Sequence, residues 1–103
     1  MRLIKPVDFT GRKAWDALDI ETMGTATVRL HWTDQPYIWH VNDGREVFVL
    51  LDGIVEMHVR EGGVERKIRL EPGDIMHFSE GDEHMAVPLT PARILVVEKE
   101  GSV

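Results

Sequence analysis

The stretch WHVNDGREVFVLLDG, residues 39–53, decides how the rest of the chain is interpreted. It holds two Asp-Gly dipeptides, at residues 43–44 and 52–53, on either side of an apolar run at residues 47–51. Asp-Gly is a turn signal of the kind that joins antiparallel strands. A short apolar run between turn signals is typical of a strand. The stretch therefore predicts a strand, a tight turn, a second strand and a further turn.

Polar side chains cluster around the first of these turns. His40 and Asn42 are two residues apart, so on a strand they leave the same face. Glu46 then opens the apolar run. Imidazole and carboxylate groups are common metal ligands, and their position at the mouth of an apolar strand predicts a pocket.

Composition limits the class of protein. A chain of 103 residues suffices for one domain with one modest core. Its formal net charge of −6, without a basic run, argues against nucleic acid as a partner and does not favour an anionic membrane. The chain has no cysteine, so any metal must be held by nitrogen and oxygen donors.

The location is also an expectation from the sequence. Residues 1–6 lack the apolar stretch of a signal peptide, and the run at residues 47–51 is far too short to span a bilayer. We therefore expect an intracellular, cytoplasmic protein.

From residue 25 onward the chain is a series of short strands separated by Gly, Pro, Asp and Asn. The predicted strands are residues 25–32, 37–40, 47–51, 54–59, 64–70, 75–78, 85–88 and 93–98. The earlier part is less regular: residues 2–7 predict an edge strand, residues 13–18 a turn or short helix, and residues 20–23 a strand. Many short strands without a helical period predict an antiparallel sandwich or barrel.

Two motifs make the chain resemble the cupins. The spacing His40-x-Asn42-x3-Glu46-x6-Gly53 resembles the first cupin motif, G-x5-H-x-H-x3/4-E-x6-G. The run GDIMHFSEGDEH, which ends at His84, resembles the second motif, G-x5-P-x-G-x2-H-x3-N. The chain is also similar to small single-domain cupins of the cupin 2 type that are described as like mannose-6-phosphate isomerase, a likeness of fold rather than of activity.

The resemblance implies a fold and a domain organisation. The expected fold is all-β, a double-stranded β-helix or jelly-roll cupin barrel. Residues 1–103 then form a single domain. Within it, residues 1–24 are an N-terminal strand and turn region, and residues 25–98 are the barrel with both motifs.

The resemblance also implies a metal site. Cupins hold their metal with the side chains that correspond to His40, Glu46 and His84. Asn42 stands where the family has a second histidine, and an amide oxygen is a weaker ligand than imidazole, so it is a weak fourth position. Two imidazoles and one carboxylate match the facial triad of non-haem Fe(II) oxygenases, and zinc also accepts such a set. The expected cofactor is a divalent transition metal: Fe, Mn, Ni or Zn.

Four residues are candidates for contact with a small-molecule ligand. Phe48 shares the strand parity of Glu46, so it is the aromatic residue most expected to face the pocket. Asn42 could hydrogen-bond a ligand directly. Trp39 could line the pocket or pack in the core. His77, like His31, could lie inward and replace the missing ligand, or be an ordinary structural or surface histidine.

Two functional hypotheses remain open at this point. The first is a metalloenzyme, an oxygenase, isomerase or lyase that acts on a small polar molecule. The second is a metal-free binding or sensing module with a degenerate site, in which a buried Glu46 is hydrogen-bonded to the two histidines and Asn42 contacts the ligand. Turnover that a chelator abolishes and metal restores would favour the first hypothesis.

A homodimer is expected as well. The run at residues 47–51 is apolar on both parities, so both faces of that strand need cover. Cupins commonly pair their barrels, sometimes by exchanging an N-terminal strand, which would give residues 2–7 a role.

Overall fold

The computed structural model describes residues 1–102, and this part of the chain forms nine strands and one short 3₁₀ helix. The 3₁₀ helix, Pro6–Asp8, is followed by β1 (Asp16–Met23), β2 (Ala26–Thr33), β3 (His40–Val41), β4 (Glu46–Asp52), β5 (Val55–Glu61), β6 (Val64–Leu70), β7 (Ile75–Phe78), β8 (Glu83–Pro88) and β9 (Ala92–Lys99). Each strand predicted after residue 24 is present, although the one expected at residues 37–40 is reduced to the two residues of β3.

The strands form two antiparallel sheets. One has the order β1-β2-β9-β4-β7 and the other the order β3-β8-β5-β6. Because β3, β4 and β5 alternate between the sheets, the Asp-Gly turns at residues 43–44 and 52–53 carry the chain across the barrel and do not close hairpins. The turn at residues 62–63 does join neighbouring strands, β5 and β6. This alternation is that of a jelly roll, and the predicted all-β barrel is confirmed.

The core lies between the two sheets and contains side chains from both. Side chains alternate between the two faces of a strand. In β4, β5 and β9 every second side chain is buried, and those between are half-buried or exposed. Leu50, Val55, Met57 and Ile94 are fully buried. Each such side chain contributes about 2 kcal/mol through apolar burial.

The N-terminal segment differs from its prediction. Residues 2–7 form no strand, because Pro6 has no N–H for a ladder and instead begins the 3₁₀ helix. Arg2 fastens the segment by donating hydrogen bonds to the carbonyl oxygens of Asp19 and Ile20, at 3.1 and 2.9 Å. The exchange of an N-terminal strand between two copies stays a prediction.

The same segment crosses the outer face of the larger sheet. Arg93 of β9 donates to the carbonyl oxygen of Phe9 at 2.8 Å and to Thr10 at 3.2 Å, and it also pairs with Asp52 at 2.5 Å. The outward side chains of the apolar run at residues 47–51 are consequently half-buried rather than exposed. The expectation for residues 13–18 was wrong in part, since the turn ends at Trp15 and β1 begins at Asp16.

Helical structure is minor throughout residues 1–102. None of it is long and apolar enough to cross a membrane.

The homodimer stays a prediction. Large apolar side chains remain exposed on the barrel, among them Ile38, Val41, Val64 and Ile75. Single exposed apolar side chains are normal on a protein surface and do not decide between a monomer and a dimer. Light scattering at micromolar concentration should report twice the 11.8 kDa chain mass. A mass of one chain would contradict the prediction.

Gly53 should tolerate substitution far less than other turn glycines. Its φ is +88°, and an added Cβ would lie 2.3 Å from the carbonyl oxygen of Pro91. Gly62 is the matched control, because its φ is +56° and a Cβ there meets nothing within 4 Å. We expect Gly53→Ala to lower the free energy of unfolding by about 3 kcal/mol and Gly62→Ala by about 1 kcal/mol, measured by denaturant titration. Equal losses would show that the close approach at Gly53 is unimportant.

Candidate metal centre

A cavity of about 210 Å³ opens at one end of the barrel, between the sheets. Its wall combines aromatic and apolar side chains with ionisable groups: Trp15, Arg29, His31, Tyr37, His40, Glu46, Phe48, His84, Ala86, Val96, Glu98 and Ser102. The volume suits a small metabolite rather than a drug-sized molecule.

Three predicted ligands converge on this cavity. In the smaller sheet the register of β3 and β8 places His40 opposite His84, with their ring centroids 4.2 Å apart. Glu46 enters from β4 in the other sheet. Each of the three offers one donor atom, and these atoms all lie within 4.8 Å of one another. The two sheets thus bring together residues that are up to 44 positions apart in the sequence.

His84 is the most enclosed of the three, with 2% of its surface exposed. Its ring stacks on Phe78 at a centroid distance of 3.8 Å and an interplanar angle of 9°. Its Nε2 lies 2.5 Å from Asn42 Oδ1 and 3.3 Å from Glu46 Oε1. Its Nδ1 is buried and has no hydrogen-bond partner among the described residues.

Asn42 connects the two other groups. Its Oδ1 accepts a hydrogen bond from His84 Nε2, and its Nδ2 donates to Glu46 Oε1 at 3.1 Å. Its backbone is tied to the second motif, because its N–H donates to the Asp82 carbonyl oxygen and its own carbonyl accepts from the Gly81 N–H, both at 2.9 Å. Asn42 therefore holds the imidazole and the carboxylate in place.

His40 is prepared as a ligand by its own backbone environment. Its Nδ1 lies 3.0 Å from the carbonyl oxygen of Ile38. A carbonyl can only accept, so Nδ1 carries the proton and the Nε2 lone pair stays free. Metal-binding histidines are usually oriented by such a hydrogen bond on the second ring nitrogen.

The donor set fits a divalent metal ion. Two ligands of one ion with bonds of about 2.1 Å lie about 3.0–3.5 Å apart. The separation of 3.3 Å between His84 Nε2 and Glu46 Oε1 falls in that range. Two nitrogens and one carboxylate oxygen are donors suited to Fe, Mn, Ni and Zn.

Glu98 is a site residue that the sequence analysis missed. It lies in β9 directly opposite Glu46 and shares the inward parity of Ile94 and Val96. Burial, followed by the negative charges of Glu46 and Asp43, raises its pKa to about 7 from an ordinary 4.5, although Arg29 acts in the opposite direction. The carboxyl therefore changes charge near neutral pH. Its parity in β9 was the signal that could have identified it.

His31 also faces the cavity, from the inner face of β2, but it lies outside the three-donor group. Its Nδ1 is 3.3 Å from the carbonyl oxygen of Trp15. Burial lowers its pKa below the ordinary 6.5. It is thus placed as a neutral wall residue and does not replace the missing fourth ligand.

The other predicted ligand-binding residues separate into two groups. Phe48 is 3% exposed and forms part of the cavity wall. Trp39 does not line the cavity, because neighbouring residues on a strand point to opposite faces and His40 points inward. The Trp39 ring lies on the outer side, with the Arg60 Cζ 3.8 Å from the ring centroid. His77 has the parity opposite to the buried Phe78 and is exposed on β7. Strand alternation therefore removes Trp39 and His77 from the site.

Comparisons with known proteins agree on the fold. No protein-family model matches the chain, and no curated protein does. A cupin-2 domain protein from Shewanella frigidimarina is similar in structure, with a TM-score of 0.76 and 22% identity over 87% of this chain and 85% of that chain. For a cupin superfamily protein from Desulfitobacterium hafniense the TM-score is 0.75, with 13% identity over 95% and 90%. Hydroquinone 1,2-dioxygenase in complex with Fe³⁺ gives a TM-score of 0.76 and 16% identity, over 87% of this chain and 29% of that one.

These similarities show the fold. The chain has the cupin fold, as the two motifs predicted. It is a small cupin-type barrel with a possible two-histidine, one-carboxylate metal site at its open end. The finer likeness to proteins resembling mannose-6-phosphate isomerase stays a prediction.

The raised pKa of Glu98 predicts a specific pH dependence of stability. The pKa of the Glu98 carboxyl is about 7 in the folded state and near 4.5 in the unfolded state. Its contribution to the free energy of unfolding is therefore fully present below pH 4.5 and is lost as the pH rises through 7. Glu98→Gln should remove that loss. In chelator-treated protein, its free energy of unfolding should therefore fall less than that of the wild type from below pH 4.5 to above pH 7. The exposed Glu100→Gln serves as the control and should keep the wild-type profile, whereas identical profiles for all three proteins would contradict the prediction.

Proposed function

We propose that this chain is a small metal-binding cupin that holds a divalent transition metal with His40, Glu46 and His84 and acts on a small polar molecule in the adjoining cavity. The observation that carries the proposal is the convergence of these three donors within 4.8 Å at a largely enclosed site. Isolated burial of a carboxylate is costly, so a buried Glu46 that is only 7% exposed needs partners of this kind.

A metal ion at this position would polarise a substrate oxygen or activate a water or O₂ molecule. Asn42 holds Glu46 in position by donating a hydrogen bond from its Nδ2. Phe48 and Val96 give the cavity an apolar wall. Glu98, across the strand pair from Glu46, is a carboxyl in the same cavity that could serve in proton transfer. An oxygenase, isomerase or lyase reaction is compatible with this set, and the likeness to an Fe³⁺-containing dioxygenase favours the oxygenase.

A metal-free binding module is the second candidate, and one observation favours it. The hydrogen bonds from His84 to Asn42 and from Asn42 to Glu46 connect the three side chains without an ion. The bond to Asn42 also keeps the proton on His84 Nε2. To bind a metal through that nitrogen, His84 must carry its proton on Nδ1, which has no acceptor among the described residues.

Metal analysis of substituted proteins tests the first proposal. Protein purified without a chelator or an affinity tag should contain roughly one divalent metal ion per chain. His40→Ala and His84→Ala should each lower metal affinity at least about a hundredfold, because each removes one of three strong donors. Asn42→His should tighten binding, since it adds a third imidazole. Metal content by mass spectrometry and affinity by competition with a chelator give these values.

His77→Ala is the matched control, because His77 is exposed on β7 and should leave metal content unchanged. Equal loss in this variant would indicate non-specific binding by surface histidines. Native protein that stays empty after dialysis against Fe, Mn, Ni and Zn ions would leave the metal-free module as the function.

A further inference from the structure

Trp15 holds its indole against the cavity through an unusual backbone conformation. Its φ is +59°, the only positive value for a non-glycine residue in the described chain. For a bulky residue this conformation is strained and persists only where the surroundings enforce it. The following residue provides such support, because the Asp16 carboxylate accepts hydrogen bonds from the N–H groups of Arg12 and Ala17, both at 3.0 Å.

The indole supplies a donor that no group in residues 1–102 accepts. Its ring packs edge-on against Tyr37 at 5.3 Å and against His31 at 6.0 Å, both of which also line the cavity. Its Nε1 is buried and has no hydrogen-bond partner among the described residues. A buried N–H is normally paired, so an unpaired donor on a residue that lines the cavity is a feature that a bound acceptor would satisfy. An indole N–H can only donate, and that molecule must therefore offer an acceptor oxygen or nitrogen.

Arg29 adds a positive charge to the same wall. It lies two residues before His31 on β2, with its side chain 38% exposed. Its Nε pairs with Asp19 at 2.7 Å, and the hydrogen bonds of the described residues leave its two Nη groups without an acceptor. A planar guanidinium matches the geometry of a carboxylate.

We propose that Trp15 and Arg29 are the recognition residues for the carboxylate of a small acid, whose apolar body lies against Phe48, Ala86 and Val96. This inference rests on the proposed function, for which it names the class of substrate. Glu46 and Glu98 line the same cavity and repel any anion, so a doubly charged phosphate is disfavoured more strongly than a singly charged carboxylate. Trp15 acts by direct contact with the carboxylate.

NMR spectroscopy of ¹⁵N-labelled protein tests the inference, with benzoate as the probe. The chain has three tryptophans, so three indole signals are expected, and Trp15→Phe assigns the one that belongs to Trp15. Benzoate should shift that signal saturably, while its neutral analogue benzamide and inorganic phosphate should not. Arg29→Gln should weaken benzoate binding by about tenfold or more, since it removes the charge but keeps a polar side chain. Trp39→Phe, which alters an indole outside the cavity, should leave the binding unchanged.

The experiment distinguishes failure of the carboxylate-binding inference from failure of the metal-binding proposal. The titration is done on metal-loaded and on chelator-treated protein. A Trp15 indole signal that benzoate leaves unmoved in both forms overturns the inference, whatever the metal content. Equal shifts with benzamide or phosphate overturn the carboxylate class. A saturable shift in protein that binds no metal supports the inference while the proposed metalloprotein function fails. If Trp15→Phe does not fold, Arg29→Gln and the three indole signals of the wild type still give the answer.

Discussion

The buried carboxylate of Glu46 is the constraint around which this end of the barrel is arranged. A charge that is 7% exposed must be hydrogen-bonded or paired, because burial without partners costs far more than the barrel's stability allows. Asn42 supplies one hydrogen bond and His84 a second polar neighbour. Asn42 is in turn fixed by backbone hydrogen bonds to residues 81 and 82, so the need to satisfy one carboxylate links the two sequence motifs.

Strand alternation turns this local requirement into a cavity. Along β4 the inward side chains change from Glu46 to Phe48 and Leu50, and along β9 they change in the opposite direction, from Ile94 and Val96 to Glu98. These two antiparallel strands are neighbours, so their polar ends coincide. The barrel interior is therefore apolar at one end, where it supplies stability, and polar at the other, where it can hold a metal ion or a ligand.

Much of the fold could be predicted because its signals are local. Period-2 alternation and turn dipeptides define the strands after residue 24, and the motif spacing identified His40, Glu46 and His84. The failures arise where tertiary contacts decide. Trp39 and His77 lie one residue out of inward register, while Glu98 is inward by the same rule but was overlooked among surface acids. No sequence pattern predicts the positive φ of Trp15, because this conformation is supported by hydrogen bonds to the Asp16 carboxylate. The bridging role of Asn42 likewise follows from a contact with His84, 42 residues away.

A crystal structure of the protein grown with Zn²⁺, with data collected on both sides of the zinc absorption edge, tests the central claim most directly. We expect one strong anomalous peak per chain at bonding distance, about 2.0–2.2 Å, from His40 Nε2, His84 Nε2 and a Glu46 oxygen. In that structure the short contact between His84 and Asn42 should be lost, because Nε2 can no longer donate to the amide. A peak only at surface residues, or no peak with the hydrogen-bonded cluster intact, would contradict the claim that these residues form a metal centre.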